Sequence, residues 1–208
     1  MDCRLILVTP ADLRPPLAPF AEALAAALEA GDVACVVLRG DGLDDESLGA
    51  AIDLLRPLAQ ARDAAFLIRD RAETAAAAGC DGVHLSDPQA YRAARRILGE
   101  DGIVGVECGD SRHDAMVAGE RDADYVAFGR LGPDPDPGAA DPELLTWWQA
   151  LMTVPCVALG VASVEDCARL ARAGADFVAV DGAVWDHPEG PAAAVQAIAA
   201  AIASPQAS

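Results

Sequence analysis

The chain has 208 residues, enough for one domain, and a composition that is 53% hydrophobic but only 4% aromatic predicts a core of Ala, Val, Leu and Ile. Its formal net charge of −18 argues against nucleic acid and anionic membranes as partners, because both would repel it. All fifteen basic residues are arginine, and a chain without a lysine amine cannot form the Schiff base of lysine aldolases or of enzymes that carry pyridoxal phosphate.

Eight short apolar runs alternate with helical segments. Runs that are apolar throughout are typical of parallel strands covered on both faces. The stretches that contain these runs are, in chain order, Arg4–Val8, Ala30–Leu38, Ala65–Arg69, Ala78–Leu85, Gly102–Glu107, Asp122–Phe128, Val154–Gly160 and Ala173–Val180, four of which begin with the end of a helix and an aspartate. The predicted helices are Pro19–Ala30, Glu46–Ala61, Ala72–Ala78, Gln89–Leu98, Arg112–Arg121, Pro142–Met152, Val164–Ala173 and Pro191–Ala203.

Four of these runs share one local pattern, in which a helix ends, often at a glycine, and an aspartate precedes the next strand. Strands that alternate with helices in this way predict a single (β/α)₈ barrel, a TIM barrel, over residues 1–208. A doubly wound open sheet is the alternative, but no GxGxxG follows the first strand, which also argues against NAD. The irregular, proline-rich stretch Gly132–Asp141 is a candidate lid.

In such barrels the chemistry lies at the carboxyl ends of the strands. This rule selects a set of candidate positions directly from the predicted strand ends. They are Thr9, Arg39, Arg69 with Asp70, Ser86 with Asp87, Glu107, Gly129 with Arg130, Gly160, and Asp181 with Gly182.

Several of these stretches resemble the motifs of one enzyme family, in the same order along the chain. They are LILVT, VVLRGD, LIRDR, AGCDGVHLSD, DADYVAFGRLGPDPD, VALGVAS and AGADFVAVDGAV, of which DGVHL is the most specific. On these motifs the sequence resembles the thiamine phosphate synthase family, and the likeness covers most of the chain.

The resemblance implies an enzyme of thiamine biosynthesis that joins a pyrimidine diphosphate to a thiazole phosphate, with magnesium on the leaving diphosphate. Arg39, Asp70, Arg71, Gly129 and Gly160 match the family pattern, and the resemblance implies Mg²⁺ at Asp70 with Asp87. A structural role for Asp70, as a helix cap or an ion-pair partner, is the alternative. Binding of a phosphate is predicted at Arg39, Arg69, Arg130, Gly129, Gly160 and Gly182.

Other positions depart from the family pattern, and most of these departures add negative charge or remove positive charge. Acids stand where the family has a lysine and hydroxyls, at Asp41, Glu107, Asp134 and Asp136. Two arginines, Arg69 and Arg130, add positive charge that could bind an anion bidentately. The sequence therefore predicts transferase activity that is lost or altered, and it names no catalytic residue.

A non-catalytic barrel that binds a small anionic ligand or a protein partner remains the alternative function. The six cysteines form no CxxC pair, which indicates unpaired thiols in a reducing cytosol, and the N-terminus does not resemble a signal peptide. We therefore expect a cytoplasmic protein that binds a small phosphorylated or anionic molecule. The sequence leaves open whether it forms a homo-oligomer.

Overall fold

The computed structural model describes residues 3–132 and 138–203, and its eight strands form one closed parallel barrel. Each strand pairs with the next along the chain, and the last pairs with the first, with Arg4 opposite Phe177. The strands are β1 (Arg4–Val8), β2 (Val33–Leu38), β3 (Ala65–Arg69), β4 (Gly82–Leu85), β5 (Ile103–Gly109), β6 (Tyr125–Phe128), β7 (Cys156–Val161) and β8 (Phe177–Val180). The predicted (β/α)₈ barrel is confirmed, and the open sheet is wrong.

Helices cover the outside of the barrel. In the described part of the chain they are α1 (Ala18–Ala30), α2 (Asp45–Gln60), α3 (Ala72–Ala77), α4 (Tyr91–Leu98), α5 (Arg112–Gly119), α6 (Pro142–Leu151), α7 (Val164–Arg172), α8 (Gly182–Trp185) and α9 (Pro191–Ala203). The predicted helices agree with these to within a residue or two. The sequence did not predict α8, because a single turn is too short to show helical periodicity.

Two apolar layers hold the barrel together. The larger lies between the strands and the helices and includes the fully buried Trp148, Phe66 and Phe128. The smaller fills the barrel interior with Ile6, Val8, Cys35, Val37, Leu67, Tyr125, Ala127, Leu131, Val157, Leu159 and Ala179. None of the described helices is long and apolar enough to cross a membrane.

Aspartates that precede strands connect neighbouring strands at the amino end of the barrel by hydrogen bonds. Three such carboxylates accept a hydrogen bond from a backbone N–H of the preceding strand, close to where that strand begins. They belong to Asp81, Asp124 and Asp176. The donors are Phe66, Val104 and Cys156, over 2.7, 2.7 and 2.8 Å. At the first strand pair Asp32 instead binds the guanidinium of Arg4. The recurring sequence pattern therefore stabilises the end of the barrel opposite the candidate site.

Candidate functional site

Arg39 follows β2 and connects three strand ends at the carboxyl end of the barrel. Its side chain is only 2% exposed, and its Nε donates to Asp41 Oδ2 over 2.8 Å. Its Nη2 donates to the carbonyl of Gly132 after β6, and its Nη1 lies 3.7 Å from Asp181 Oδ2 after β8. Buried arginines require such partners, so the loops after β2, β6 and β8 are held around one guanidinium.

Arg69, the last residue of β3, lies on the other side of Asp41. Its Nη1 is 3.5 Å from Asp41 Oδ1, and its Nε is 3.7 Å from Asp70 Oδ2. The Arg69 side chain is 14% exposed and that of Asp41 is 41% exposed. The structure thus brings together two of the predicted phosphate-binding residues, Arg39 and Arg69, with one carboxylate between them.

Asp70 and Asp87, the predicted magnesium ligands, direct their carboxylates to protein donors. Asp70 Oδ1 accepts from the backbone N–H of Ser86 and Oδ2 from its hydroxyl, both over 2.7 Å. Asp87 accepts from the backbone N–H of Gln89 and caps a 3₁₀ turn, Pro88–Ala90. Among the described residues no three His, Cys, Asp or Glu side chains converge on a point that could hold a metal ion. The donors as arranged do not fit a magnesium site, and magnesium binding stays a prediction.

A cavity of about 540 Å³ opens at the carboxyl end between the ends of β1, β2, β6, β7 and β8. Four of the predicted binding residues line it, namely Arg39, Arg130, Gly160 and Gly182. Asp12, Asp181 and Asp186 also line it, so acidic groups face the two arginines. Arg130 is exposed, and its guanidinium lies over Gly109, where a Cβ would come within 2.7 Å of Nη2.

Gly129 and Gly160 both have a structural requirement for glycine. Their φ angles are +83° and +68°, in the left-handed region that side chains disfavour. A Cβ at Gly129 would lie 2.8 Å from the carbonyl oxygen of Leu159, and a Cβ at Gly160 would lie 2.8 Å from that of Gly138. Close packing of the chain after β6 against β7 therefore accounts for both glycines, and their role in phosphate binding stays a prediction.

A chain of buried polar side chains crosses the barrel interior beneath this cavity. His84 Nδ1 lies 2.8 Å from the Tyr125 hydroxyl, and His84 Nε2 lies 3.5 Å from Glu107 Oε2. Glu107 also accepts the backbone N–H of Leu131 over 3.4 Å. Burial raises the pKa of the Tyr125 phenol well above its ordinary value. This cluster links the inside of β4, β5 and β6 to the first residues after β6.

Gly105 makes the cluster sterically possible. His84, Gly105 and Tyr125 lie side by side in the register of β4, β5 and β6. A Cβ at Gly105 would lie 1.9 Å from Tyr125 Cζ, because the phenol ring crosses over β5 to reach His84. The strand-end rule predicted Glu107 at the carboxyl end of its strand, but the sequence pattern did not connect it with His84 and Tyr125. The available signal was a glycine inside an apolar strand, two residues before an acid on the same face.

The candidate lid lies mostly outside the described residues, which stop at Gly132 and resume at Gly138. The acids predicted there, Asp134 and Asp136, fall in the gap between these two residues. Leu131 is described, and it is 5% exposed and packs into the barrel interior beside the cavity. The beginning of this loop therefore closes the interior from above.

Comparisons with known proteins give a consistent result. The family described as "Thiamine monophosphate synthase" matches residues 5–184. A thiamine-phosphate synthase of Rhodospirillum centenum is 58% identical over 198 residues, which cover 93% of this chain and 95% of the relative. A thiamine-phosphate synthase of Hyphomonas neptunium is 44% identical over 205 residues and covers 93% of this chain and 91% of its own.

Solved structures extend the likeness. The thiamine phosphate pyrophosphorylase of Pyrococcus furiosus superposes with a TM-score of 0.80 at 25% identity, over 96% of this chain and 95% of its own. The orotidine 5'-phosphate decarboxylase of Pyrococcus horikoshii has a TM-score of 0.71 at 16% identity, over 95% of this chain and 99% of its own. The second likeness concerns the fold alone.

Proposed function

Because this chain belongs to the thiamine monophosphate synthase family, we propose that it joins a pyrimidine diphosphate to a thiazole phosphate at the carboxyl end of its barrel. The reaction forms a bond between the thiazole nitrogen and the methylene carbon of the pyrimidine. It breaks the bond between that carbon and the diphosphate oxygen, and the diphosphate leaves with the electron pair. The chemical demand on the protein is to hold two anionic groups and stabilise the departing one.

The observation that carries this proposal is the cavity lined by Arg39, Arg130, Gly160 and Gly182. Guanidinium groups offer planar, bidentate donors to phosphate oxygens. Arg39 is already fixed by its contacts with the loops after β2, β6 and β8, so little conformational freedom is lost when it binds an anion. Arg130 is exposed at the rim and adds a second positive charge.

We propose further that the protein joins the pyrimidine diphosphate and the thiazole phosphate only slowly. Asp41 and Glu107 place negative charge near the end of the barrel where the leaving diphosphate needs positive charge. Removing a single well-placed donor for developing negative charge typically costs on the order of 10²–10³ in rate. The arginines provide positive charge in a different geometry, because a guanidinium is planar and longer than a lysine amine.

A non-catalytic anion-binding barrel is the second candidate, and one observation favours it. Arg39 and Arg69 are already paired with Asp41, and the cavity lining carries three aspartates. A site in this condition binds an anion only by breaking existing ion pairs.

The deciding experiment incubates the purified protein with both phosphorylated substrates and magnesium, and measures thiamine phosphate. We expect slow but measurable turnover, below the roughly one to ten per second that is typical of enzymes. Arg130→Gln should lower kcat/KM by on the order of tenfold or more. Arg172→Gln, which changes an exposed arginine on α7, is the matched control and should leave the rate unchanged.

The possible outcomes separate the proposals. A turnover of ten per second or more would contradict the low rate while supporting the transferase. No product at any enzyme concentration would contradict the transferase and favour the non-catalytic barrel. An equal loss in Arg130→Gln and Arg172→Gln would show that the cavity is not the substrate site.

A further inference from the structure

Helix α4, on the outside of the barrel, concentrates positive charge in a chain that is strongly acidic. Its sequence YRAARRIL contains Arg92, Arg95 and Arg96 and no acid, whereas the formal net charge of the whole chain is −18. Arg95 is used within the fold, because its guanidinium binds Asp124 and two backbone carbonyls that follow the helix. Arg92 and Arg96 are exposed, and neither forms an ion pair with a residue that the structure describes.

The charges of Arg92 and Arg96 repel each other. The two residues stand four positions apart on the exposed face of α4, where side chains at this spacing are neighbours. Arg96 Nε donates to the backbone carbonyl of Arg92 over 3.2 Å, so the Arg96 side chain lies along the helix. Like charges at this spacing destabilise a helix unless opposite charge lies against them. Within residues 3–132 and 138–203 no carboxylate does so.

Two acids follow α4 directly. Glu100 and Asp101 are exposed, and within the described ranges their side chains form no ion pair and no hydrogen bond. Gly99, with a φ of +73°, ends the helix before them. The helical spacing that would bring the Glu100 carboxylate next to Arg96 is therefore interrupted. The segment is positive along its first part and negative at its end.

A small apolar surface lies between these charges. Ile97 is 37% exposed, and Ala93 is exposed beside it. A groove of about 460 Å³ opens next to Ile97, between α3 and α4, and its lining includes Ala76, Leu98 and Asp101. An apolar centre with a charged rim is typical of protein–protein interfaces. We define the α4 face as the exposed residues Arg92, Ala93, Arg96, Ile97, Glu100 and Asp101.

We propose that the α4 face binds the α4 face of a second copy of this chain, with the two helices antiparallel about a two-fold axis. In a two-fold contact both copies present the same surface. A surface that is positive at one end and negative at the other complements itself when the second copy is turned end to end. An axis near Arg96 and Ile97 sets the arginines of each copy against the acids of the other and brings the two Ile97 side chains together. A parallel contact would set arginine against arginine.

The charge pattern favours a second copy over other partners. The net charge of −18 opposes association in general, but salt screens exposed charges that lie more than about 8 Å apart at physiological ionic strength. Charges near the contact then decide, and there two arginines of each copy meet two acids of the other. A polyanion or an acidic protein would be attracted by the arginines and repelled by the acids of the same face. The contact involves none of the residues that line the cavity at the carboxyl end, so both cavities stay open.

The test measures molar mass by sedimentation equilibrium, at protein concentrations from roughly 1 to 300 μM and about 0.15 M salt. We expect a dimer with a dissociation constant on the order of 10–100 μM, because a face of this size gives a weak contact. The acidic variant, Arg92→Glu with Arg96→Glu, should weaken the dimer at least about tenfold, since acid then meets acid. The basic variant, Glu100→Arg with Asp101→Arg, should weaken it by a similar factor.

The swapped variant, which combines all four substitutions, is the decisive arm. It has the net charge of the unmodified chain and again places opposite charges at the two ends of the face. It should therefore dimerise with an affinity close to that of the unmodified chain. Arg169→Glu with Arg172→Glu, on the exposed face of α7, repeats the charge change of the acidic variant elsewhere and should leave the dissociation constant unchanged.

A dimer that is lost in the acidic and basic variants and restored in the swapped variant supports the proposal, and damage to the fold does not produce this result. A chain that is monomeric at every concentration would overturn it. A dimer that persists in both variants would overturn it by locating the contact on another face. Tighter association of the basic variant would do so as well, since net charge alone would then govern association. A swapped variant that stays monomeric with an unchanged melting temperature would also overturn it. None of these outcomes depends on the function proposed above.

Discussion

The two ends of the barrel are built on different principles. At the amino end one contact recurs, in which an aspartate before a strand accepts the backbone N–H at or near the start of a neighbouring strand, as for Asp81, Asp124 and Asp176. At the carboxyl end side-chain caps recur at the starts of α2, α5, α6 and α7, but the described strand-end residues Arg39, Arg69 and Glu107 each have a different set of partners. Repetition is expected where residues only stabilise the fold, and individual contacts where they act on a ligand.

The electrostatics of the two ends differ in the same way. The aspartates of the amino end accept directed hydrogen bonds, and the one at the first strand pair, Asp32, forms a simple ion pair with Arg4. At the carboxyl end Asp41 is shared between two arginines. We therefore expect changes at the amino end to affect stability, and changes around Asp41 to affect ligand binding.

The largest expected effect is a loss of stability at alkaline pH. Burial raises the pKa of Cys3 and Cys167 to about 12 and that of Cys156 to about 11, from 9.0. Because the folded pKa values are raised, this stability is complete below pH 9 and is lost as the pH rises toward 12. At pH 10 each such thiol costs about 1 kcal/mol, so the free energy of unfolding should fall by a few kcal/mol.

Urea unfolding at pH 8, 9 and 10 with a reductant present measures this effect. The absence of lysine leaves this pH range largely to thiols, tyrosines and the N-terminus. Cys167→Ala should reduce the fall between pH 8 and 10 by about 1 kcal/mol. A free energy of unfolding that does not change between pH 8 and 10 would show that the thiols of Cys3, Cys156 and Cys167 are not buried as described.

The second largest expected effect is a loss of stability when one of the repeated aspartate contacts at the amino end is removed. Asp176→Ala removes the acceptor of the Cys156 N–H and of Gln149 Nε2, over 2.8 and 2.7 Å. Because the N–H of Cys156 would be left buried without its side-chain acceptor, we expect the free energy of unfolding to fall by about 2–3 kcal/mol. Asp53→Ala, at an exposed position on α2, is the control and should change it by less than about 0.5 kcal/mol.

Measuring the pyrophosphate affinity of Asp176→Ala tests whether a change at the amino end of the barrel affects ligand binding at the carboxyl end. The cavity lined by Arg39 and Arg130 lies at the opposite end of the barrel, so affinity measured well below the melting temperature should not change. A loss of affinity together with the loss of stability would contradict the separation of the two ends.

The repetition at the amino end explains why the sequence was sufficient to predict the fold. The pattern of helix end, aspartate and apolar run marks several strands independently, so an error in one would not change the architecture. The end-of-strand rule then placed Arg39, Arg69, Glu107 and Arg130 at one end of the barrel, as the structure has them. Local pattern therefore determined both the barrel and the end at which the candidate site lies.

The contacts within the site could not be predicted in the same way. The Asp41–Arg69 pair joins residues 28 positions apart, and its formation depends on the turn between Gly40 and Gly42. The interior cluster depends on the register of β4, β5 and β6, which puts Gly105 between His84 and Tyr125. Such contacts follow from strand register and side-chain direction, which a single sequence specifies only weakly.

The smallest effect tests the region between the two ends. The Tyr125 ring starts at the amino end of β6, and its hydroxyl lies 2.8 Å from His84 Nδ1, beneath Glu107. Tyr125→Phe keeps the ring over Gly105 and removes only the hydroxyl, so His84 Nδ1 loses this partner. We expect the free energy of unfolding to fall by about 1 kcal/mol.

Pyrophosphate affinity should be unchanged, because the hydroxyl contacts neither Arg39 nor Arg69. A change of more than tenfold in turnover or affinity at unchanged stability would show that the interior cluster of His84, Tyr125 and Glu107 belongs to the functional site. The functional end of the barrel would then include His84.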